Sequence, residues 1–328
     1  MRFYACSYGQ VFQCWDALRR EHVAVKQFCR QWDCATEDTM EQASYRELAI
    51  LKRCAHPHIV PVLALLFDDT HRHYFGQKFE GGFAMPLCRG GDLHHWLNDC
   101  TKRQIQVTLH TKQSLARQLL EAVCYLHRRS IVHRDIKPGN CMVNADGSHL
   151  YLGDFGLGRQ CTVPLRPWYT DKVCTLWYRP PELLLGSKSY GFGIDIWSTA
   201  LTVARLFAES DIFSAANELS MLYDIFAVFG TPSVAQWPEM ARMRNYNVKS
   251  FPRWTGCGLE TRLRGPGKST VVALLCSMLQ YEPSKRMSAK QALKTDFFAR
   301  SFRHAAPRSA RATKTQSQLK RRRICIPL

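Results

Sequence analysis

His133-Arg134-Asp135-Ile136-Lys137-Pro138-Gly139-Asn140, then Asp154-Phe155-Gly156, then Thr175-Leu176-Trp177-Tyr178-Arg179-Pro180-Pro181-Glu182, form the stretch around which the rest of the chain is organised. It sets an acid on a tight loop, a lysine two residues on, an amide five residues on and a second acid before Gly156. These are the parts that phosphoryl transfer needs. Asp135 is placed to orient an attacking hydroxyl or accept its proton, and Lys137 to neutralise a terminal phosphate. Asn140 and Asp154 offer the oxygen ligands that Mg²⁺, a hard cation, prefers. Each residue type is common on protein surfaces, but the ordered set at this spacing is specific.

The 328 residues are 46% hydrophobic, enough to bury a large core in one large or two medium lobes. No apolar run reaches the length of a membrane span, and the first residues form no signal peptide, so a soluble intracellular protein is expected, without membrane partners. The fourteen cysteines include no C-x-x-C pair, which points to reduced thiols rather than metal ligands or bridges. The net charge of +18 is uneven, because residues 300–328 carry nine Lys or Arg and no acid. Half of the excess therefore belongs to a basic appendage, and nucleic acid is not expected as a partner of the body. The tail ends in a Lys-Arg-Arg-Arg run at 320–323 that suits nuclear import, with a solvated or nucleic-acid-touching tail as alternatives.

Toward the N-terminus, Met1–Phe12 and Val23-Ala24-Val25-Lys26 are β-rich runs separated by a charged turn, which predicts an antiparallel hairpin. A glycine-rich phosphate loop here would have glycine at 4, 6 and 9, and the chain has Tyr4, Cys6 and Gly9. The first strand reads as cut short. In residues 40–51 a helix is expected with Tyr45, Leu48, Ile50 and Leu51 on its apolar face, placing Glu47 toward Lys26. Residues 59–66 (Ile-Val-Pro-Val-Leu-Ala-Leu-Leu) read as a buried strand by continuous apolarity. His71 and His73 have no third ligand nearby and read as a solvated loop. From Lys112 to Arg129 the recurrence of Leu115, Leu119, Ala122, Val123 and Leu126 predicts a core helix leading into the central loop.

On these motifs the chain resembles eukaryotic protein kinases and, within them, cyclin-dependent kinases, over about residues 4 to 299. The resemblance implies an α+β bilobal kinase fold, with a small β-rich N-lobe carrying one main helix (1–85), a hinge and larger helical C-lobe (86–299) and a basic tail (300–328). It implies Ser/Thr phosphorylation with ATP and Mg²⁺, and residence in the nucleus, the cytoplasm or both. On this likeness Gly9, Val11, Ala24, Lys26, Glu47, Met85, Leu87, Cys88, Asp92, Met142 and Asp154 serve the nucleotide. Met85 would gate the rear pocket, Leu87 and Cys88 would face adenine, Asp92 the ribose, and Met142 would floor the base.

Thr170 falls at the family's activating phosphorylation site, with Arg46, Arg134 and Arg159 as its implied receivers. Ser7 and Tyr8 match the family's inhibitory pair. Thr175 resembles the threonine that ties the segment to Asp135 and Lys137, and Arg179 the arginine that shapes a pocket for proline after the target residue. Glu182 with Arg286, and Asp195, resemble supports of the large lobe. A cyclin partner and Ser/Thr-Pro substrates are therefore expected, although Tyr45 stands where the best-known members have isoleucine. A pseudokinase scaffold is the alternative favoured by Tyr4 and Cys6. A mitogen-activated kinase is a weaker one, because Leu176 stands in place of the arginine of that group's motif.

Overall fold

The computed structural model describes residues 3–6, 9–28, 40–67, 73–74, 77–78, 81–160, 174–246 and 251–299. Ser7, Tyr8, His71, Thr170 and the basic tail lie outside them, as do the side chains of Tyr4 and Cys6. The chain divides into two compact units, and the division falls between Arg89 and Gly90, with Gly153–Leu157 returning to the first.

The first unit is built on a five-stranded antiparallel sheet in the order β1-β2-β3-β7-β4. Its strands are β1 (Phe3–Cys6), β2 (Gly9–Asp16), β3 (Glu21–Gln27), β4 (Ala64–Phe67) and β7 (Gly81–Pro86). A separate small ladder joins β5 (His73–Tyr74) to β6 (Gln77–Lys78). The hairpin expected from the sequence is β2–β3, which pairs Phe12 with Val25 and Cys14 with Val23. Period-two alternation sends these four to one face, where they meet Ala64, Leu66 and Ala84 in a closed core. The same register puts the opposite set on the other face: Val11 across from Lys26, and Ala24 across from both Gln13 and Met85.

Two expectations are corrected here. The run 59–66 is not one strand: Ile59 and Val60 are buried, but regular pairing begins at Ala64. Pro61 has no N–H to give a ladder, and Pro61, Val62 and Leu63 lie outside the regular strand and are only half-buried. The helix α1 (Met40–Arg53) forms as expected, but its buried stripe is Ala43, Ser44, Glu47, Leu48 and Leu51. Tyr45 is 54% exposed. At 100° per residue, position 45 lies some 200° from Glu47, on the far side of the helix.

The second unit is mainly helical. Asp92 caps α2 (Leu93–Lys102) and Thr108 caps α3 (Leu109–Arg128), each side chain accepting from the backbone N–H three residues on. The apolar stripe predicted for 112–129 is the buried face of α3. Short paired strands follow: β8 (Ile131–Val132) with β11 (Arg159–Gln160), and β9 (Cys141–Val143) with β10 (Leu150–Leu152). They hold the central loop between them in sequence. The helix α4 (Pro181–Leu184) leads to α5 (Gly193–Arg205), which is buried on all sides from Ile194 onward and forms the axis of the core. Packed beyond it are α6 (Glu218–Phe229), α7 (Lys268–Met278), α8 (Ala289–Ala292) and α9 (Asp296–Ala299). Nine cysteines among the described residues are free thiols, and none of the described helices is long and apolar enough to cross a membrane.

Candidate active site

In the first unit, Lys26 ends the buried run of β3 and is itself 3% exposed. Its ammonium lies 2.7 Å from Glu47 of α1 and 3.0 Å from Asp154. Burial raises the Glu47 carboxyl above its ordinary range, and the charge of Lys26 works against that rise. One cation between two buried carboxylates fixes the amine in position. Val11, Ala24 and Met85 share the sheet face of Lys26 by register, so four of the residues expected around a nucleotide lie on one face of this sheet. Arg46 donates to the Gly156 carbonyl at 2.8 Å. At the end of the unit, burial pushes the Cys88 thiol up to about 11, so it stays protonated at neutral pH.

In the second unit, Asp135 is 4% exposed and both of its oxygens are engaged. Oδ1 accepts from the Thr175 N–H at 3.0 Å and from the Thr175 hydroxyl at 2.9 Å. Oδ2 accepts from Asn140 Nδ2 at 2.9 Å and pairs with Lys137 at 2.9 Å. Burial alone would raise the Asp135 carboxyl, but Lys137, Thr175 and His133 outweigh it and hold the group below the usual carboxylate range. It is therefore a carboxylate at neutral pH. Lys137 also donates to Thr175 at 2.8 Å, closing a ring of three side chains.

The loop that presents this ring is fixed from beneath. Asp195 accepts from the backbone N–H groups of His133 and Arg134, each at 2.9 Å, and lies 3.0 Å from His127 Nε2. Burial would raise the Asp195 carboxyl, and these hydrogen bonds reverse the shift. Arg134 sits at φ 71, a backbone region costly for a non-glycine residue, and its buried side chain reaches Tyr190 Oη at 3.1 Å. Arg159 lies on β11, paired with Val132.

A further strained residue escaped sequence reading. Cys174 adopts φ 65, and its carbonyl accepts from Arg179 at 3.0 Å and 3.3 Å. Nothing in a cysteine predicts a left-handed backbone, so no sequence signal could have located it. Arg179 is held in turn by Glu218 at 2.5 Å, a residue that the linear motif did not single out. Asp92, expected near a ribose, spends one oxygen on the His95 N–H at 2.9 Å and the other on His95 Nδ1 at 2.6 Å. It forms an isolated bridge with Met142.

Each unit carries an oxygen donor of the kind that Mg²⁺ bound with phosphates prefers. Asn140 gives its Nδ2 to the carbonyl and carboxylate of Asp135, leaving Oδ1 as the ligand atom, and Asp154 supplies a carboxylate. Such an ion supplies positive charge at the phosphate oxygens.

The protein kinase domain family matches residues 5–298. Cyclin-dependent kinase 1 of Encephalitozoon cuniculi is 33% identical over 292 residues, which is 89% of this chain and 93% of that protein. Among solved structures, a chain of the yeast RNA polymerase II CTD kinase complex CTDK-1 is similar with a TM-score of 0.76 at 26% identity, covering 91% of this chain and 95% of that one. A chain of the CAK complex from Chaetomium thermophilum bound to ATP-gamma-S is similar with a TM-score of 0.77 at 27% identity, covering 90% and 88%. With the carboxylate–lysine–threonine ring and the Lys26–Glu47 pair in place, the chain belongs to the cyclin-dependent kinase family of ATP- and Mg²⁺-using protein serine/threonine kinases.

Proposed function

We propose that this kinase is directed to Ser or Thr followed by proline and is activated by a cyclin. In this reading Asp135 orients the substrate hydroxyl and takes its proton, Lys137 neutralises the transferred phosphoryl group, and Thr175 holds both in register. Lys26, fixed by Glu47, anchors the nucleotide phosphates.

The observation that carries the proline preference is the Cys174 carbonyl. An extended substrate ordinarily gives the N–H of the residue after its target to a main-chain acceptor of the activation segment. Here the φ 65 backbone and the two bonds from Arg179 occupy that acceptor. A substrate N–H buried without a partner costs about 1–3 kcal/mol, and proline has none to bury. Arg179 is thus read as a specificity residue, and Thr175 as a positioning residue facing substrate.

Cyclin activation is supported by the family and by the exposure of Tyr45 on the outer side of α1, where it lies 5.6 Å from the Phe28 ring. An exposed tyrosine ring backed by the half-buried Phe28 gives a partner a hydrophobic anchor. Thr170 is the proposed activating phosphosite, and Ser7 and Tyr8 the proposed inhibitory pair. Nuclear residence through the 320–323 run belongs to the same reading.

The test compares phosphate transfer to a Ser-Pro peptide and its Ser-Ala twin, with and without cyclins. The Ser-Pro peptide should be preferred by about ten-fold or more in kcat/KM, as a lost hydrogen bond of this size implies. Arg179→Ala should narrow that preference because it releases the Cys174 carbonyl. Equal use of both peptides by the active enzyme would reject proline direction, and activity indifferent to every cyclin tried would reject cyclin activation.

A further inference from the structure

The second unit has a further concave surface, whose lining does not include Asp135, Lys137 or Thr175. The loop from Gly186 to Gly193 forms one wall, the segment Arg242–Arg244 another, and Pro283 and Ser284 the third, around a cavity of about 910 Å³. The walls are tied together. Asn245 donates its N–H to the Leu185 carbonyl at 3.0 Å and its side chain to the Leu184 carbonyl at 3.2 Å. Arg286 donates to the Gly193 carbonyl at 2.9 Å, and a Cβ on Gly193 would stand 3.0 Å from Pro283. Gly186, at φ +81, makes the turn that brings the first two walls together. The cleft is consequently preformed.

Its lining is unbalanced in charge. Lys188, Arg242 and Arg244 face it, against the carboxylates of Glu182 and Glu239. Glu182 is already committed, with its two oxygens at 2.6 Å and 2.7 Å from the Arg286 guanidinium. Arg242 and Arg244, both exposed, have no carboxylate within ion-pair distance among the described residues. Arg242, Arg244 and Lys188 therefore give the cleft a basic lining, beside the apolar side chains of Phe192 and Met243.

We propose that this cleft docks a phosphoserine- or phosphothreonine-bearing segment of a protein, its phosphate between Arg242, Arg244 and Lys188 and its flanking side chains against Phe192 and Met243. Guanidiniums favour phosphate over carboxylate through bidentate donation. The concavity fits one phosphate on a peptide better than a membrane plane. Glu239 at the rim disfavours the repeated phosphates of nucleic acid. The site is separate in sequence from the residues that perform phosphoryl transfer, so the proposal does not depend on the substrate preference assigned above.

The test is a fluorescence-polarisation titration of the full chain with a degenerate nonapeptide carrying a central phosphoserine, alongside the unphosphorylated peptide, a glutamate-centred peptide, a single-stranded oligonucleotide and phosphatidylserine vesicles. The phosphopeptide should bind at least ten-fold more tightly than either other peptide. Arg242→Ala/Arg244→Ala should remove that difference, while Arg262→Ala, an exposed arginine outside the cleft, should leave it unchanged. Thermal unfolding of both variants verifies that they are folded, and a charge-retaining R242K/R244K variant should bind at an intermediate level. Equal binding of the three peptides, tighter binding of the oligonucleotide or vesicles through these arginines, or full phosphopeptide binding by the folded double alanine variant would each overturn the proposal.

Discussion

Asp135→Asn is expected to lower kcat for phosphoryl transfer by about 10²–10⁴-fold, the range for loss of a positioned general base, while the protein stays folded. The substitution preserves shape but places an amide NH₂ where the carboxylate oxygen met two donors, Lys137 and Asn140 Nδ2. The oxygen that accepts from Thr175 can remain, so the loop keeps part of its support. Single-turnover kinetics with a saturating nucleotide, checked by thermal unfolding, separates the chemical loss from a structural one. Turnover within ten-fold of the native enzyme would remove Asp135 from the mechanism.

The pH profile follows from the same geometry. Because the Asp135 pKa is lowered in the folded protein, its bonds contribute stability that is present above the ordinary carboxylate value of about 3.9 and is lost as pH falls through the folded value. Any loss of activity between neutral pH and about 5 should therefore originate elsewhere.

Glu182→Ala should be the most damaging substitution for stability. The Glu182–Arg286 pair is bidentate, at 2.6 Å and 2.7 Å, with side chains 2% and 0% exposed. Arg286 also serves the carbonyls of Gly193, Gln280 and Tyr281 and lies 5.0 Å from the Trp197 ring centre. Removing the carboxylate leaves a guanidinium buried without its counter-charge, at a cost of about 3–5 kcal/mol. For a domain of this size that corresponds to a fall in midpoint of roughly 10 °C. Replacing both partners with apolar residues, Glu182→Leu with Arg286→Met, should recover much of the loss, because the uncompensated charge is removed too. A single variant as stable as the native protein in thermal unfolding would show that the pair contributes little.

What could be read from the sequence was what is local or periodic. The loop from His133 to Asn140 is contiguous, so the spacing that makes it chemically competent is visible without a fold. Val23 and Val25 alternate and Leu115 to Leu126 recur, so β3 and α3 could be placed before any contact was known. The apolar run at 59–66 and the tyrosine at 45 misled because hydrophobic composition reports burial rather than pairing or rotation. Pro61 interrupts the ladder, and one helical step puts Tyr45 outside.

Sequence by itself determined that this chain is a kinase of the cyclin-dependent type, because the reacting groups lie within a few residues of one another and their order is their identity. The tertiary structure alone decided what surrounds them. The left-handed Cys174 whose carbonyl Arg179 holds and the cleft joining Lys188 to Arg242 and Arg244 depend on backbone dihedrals or on contacts between distant segments. Neither leaves a mark in the order of residues, since the same side chains on another backbone path would face solvent separately.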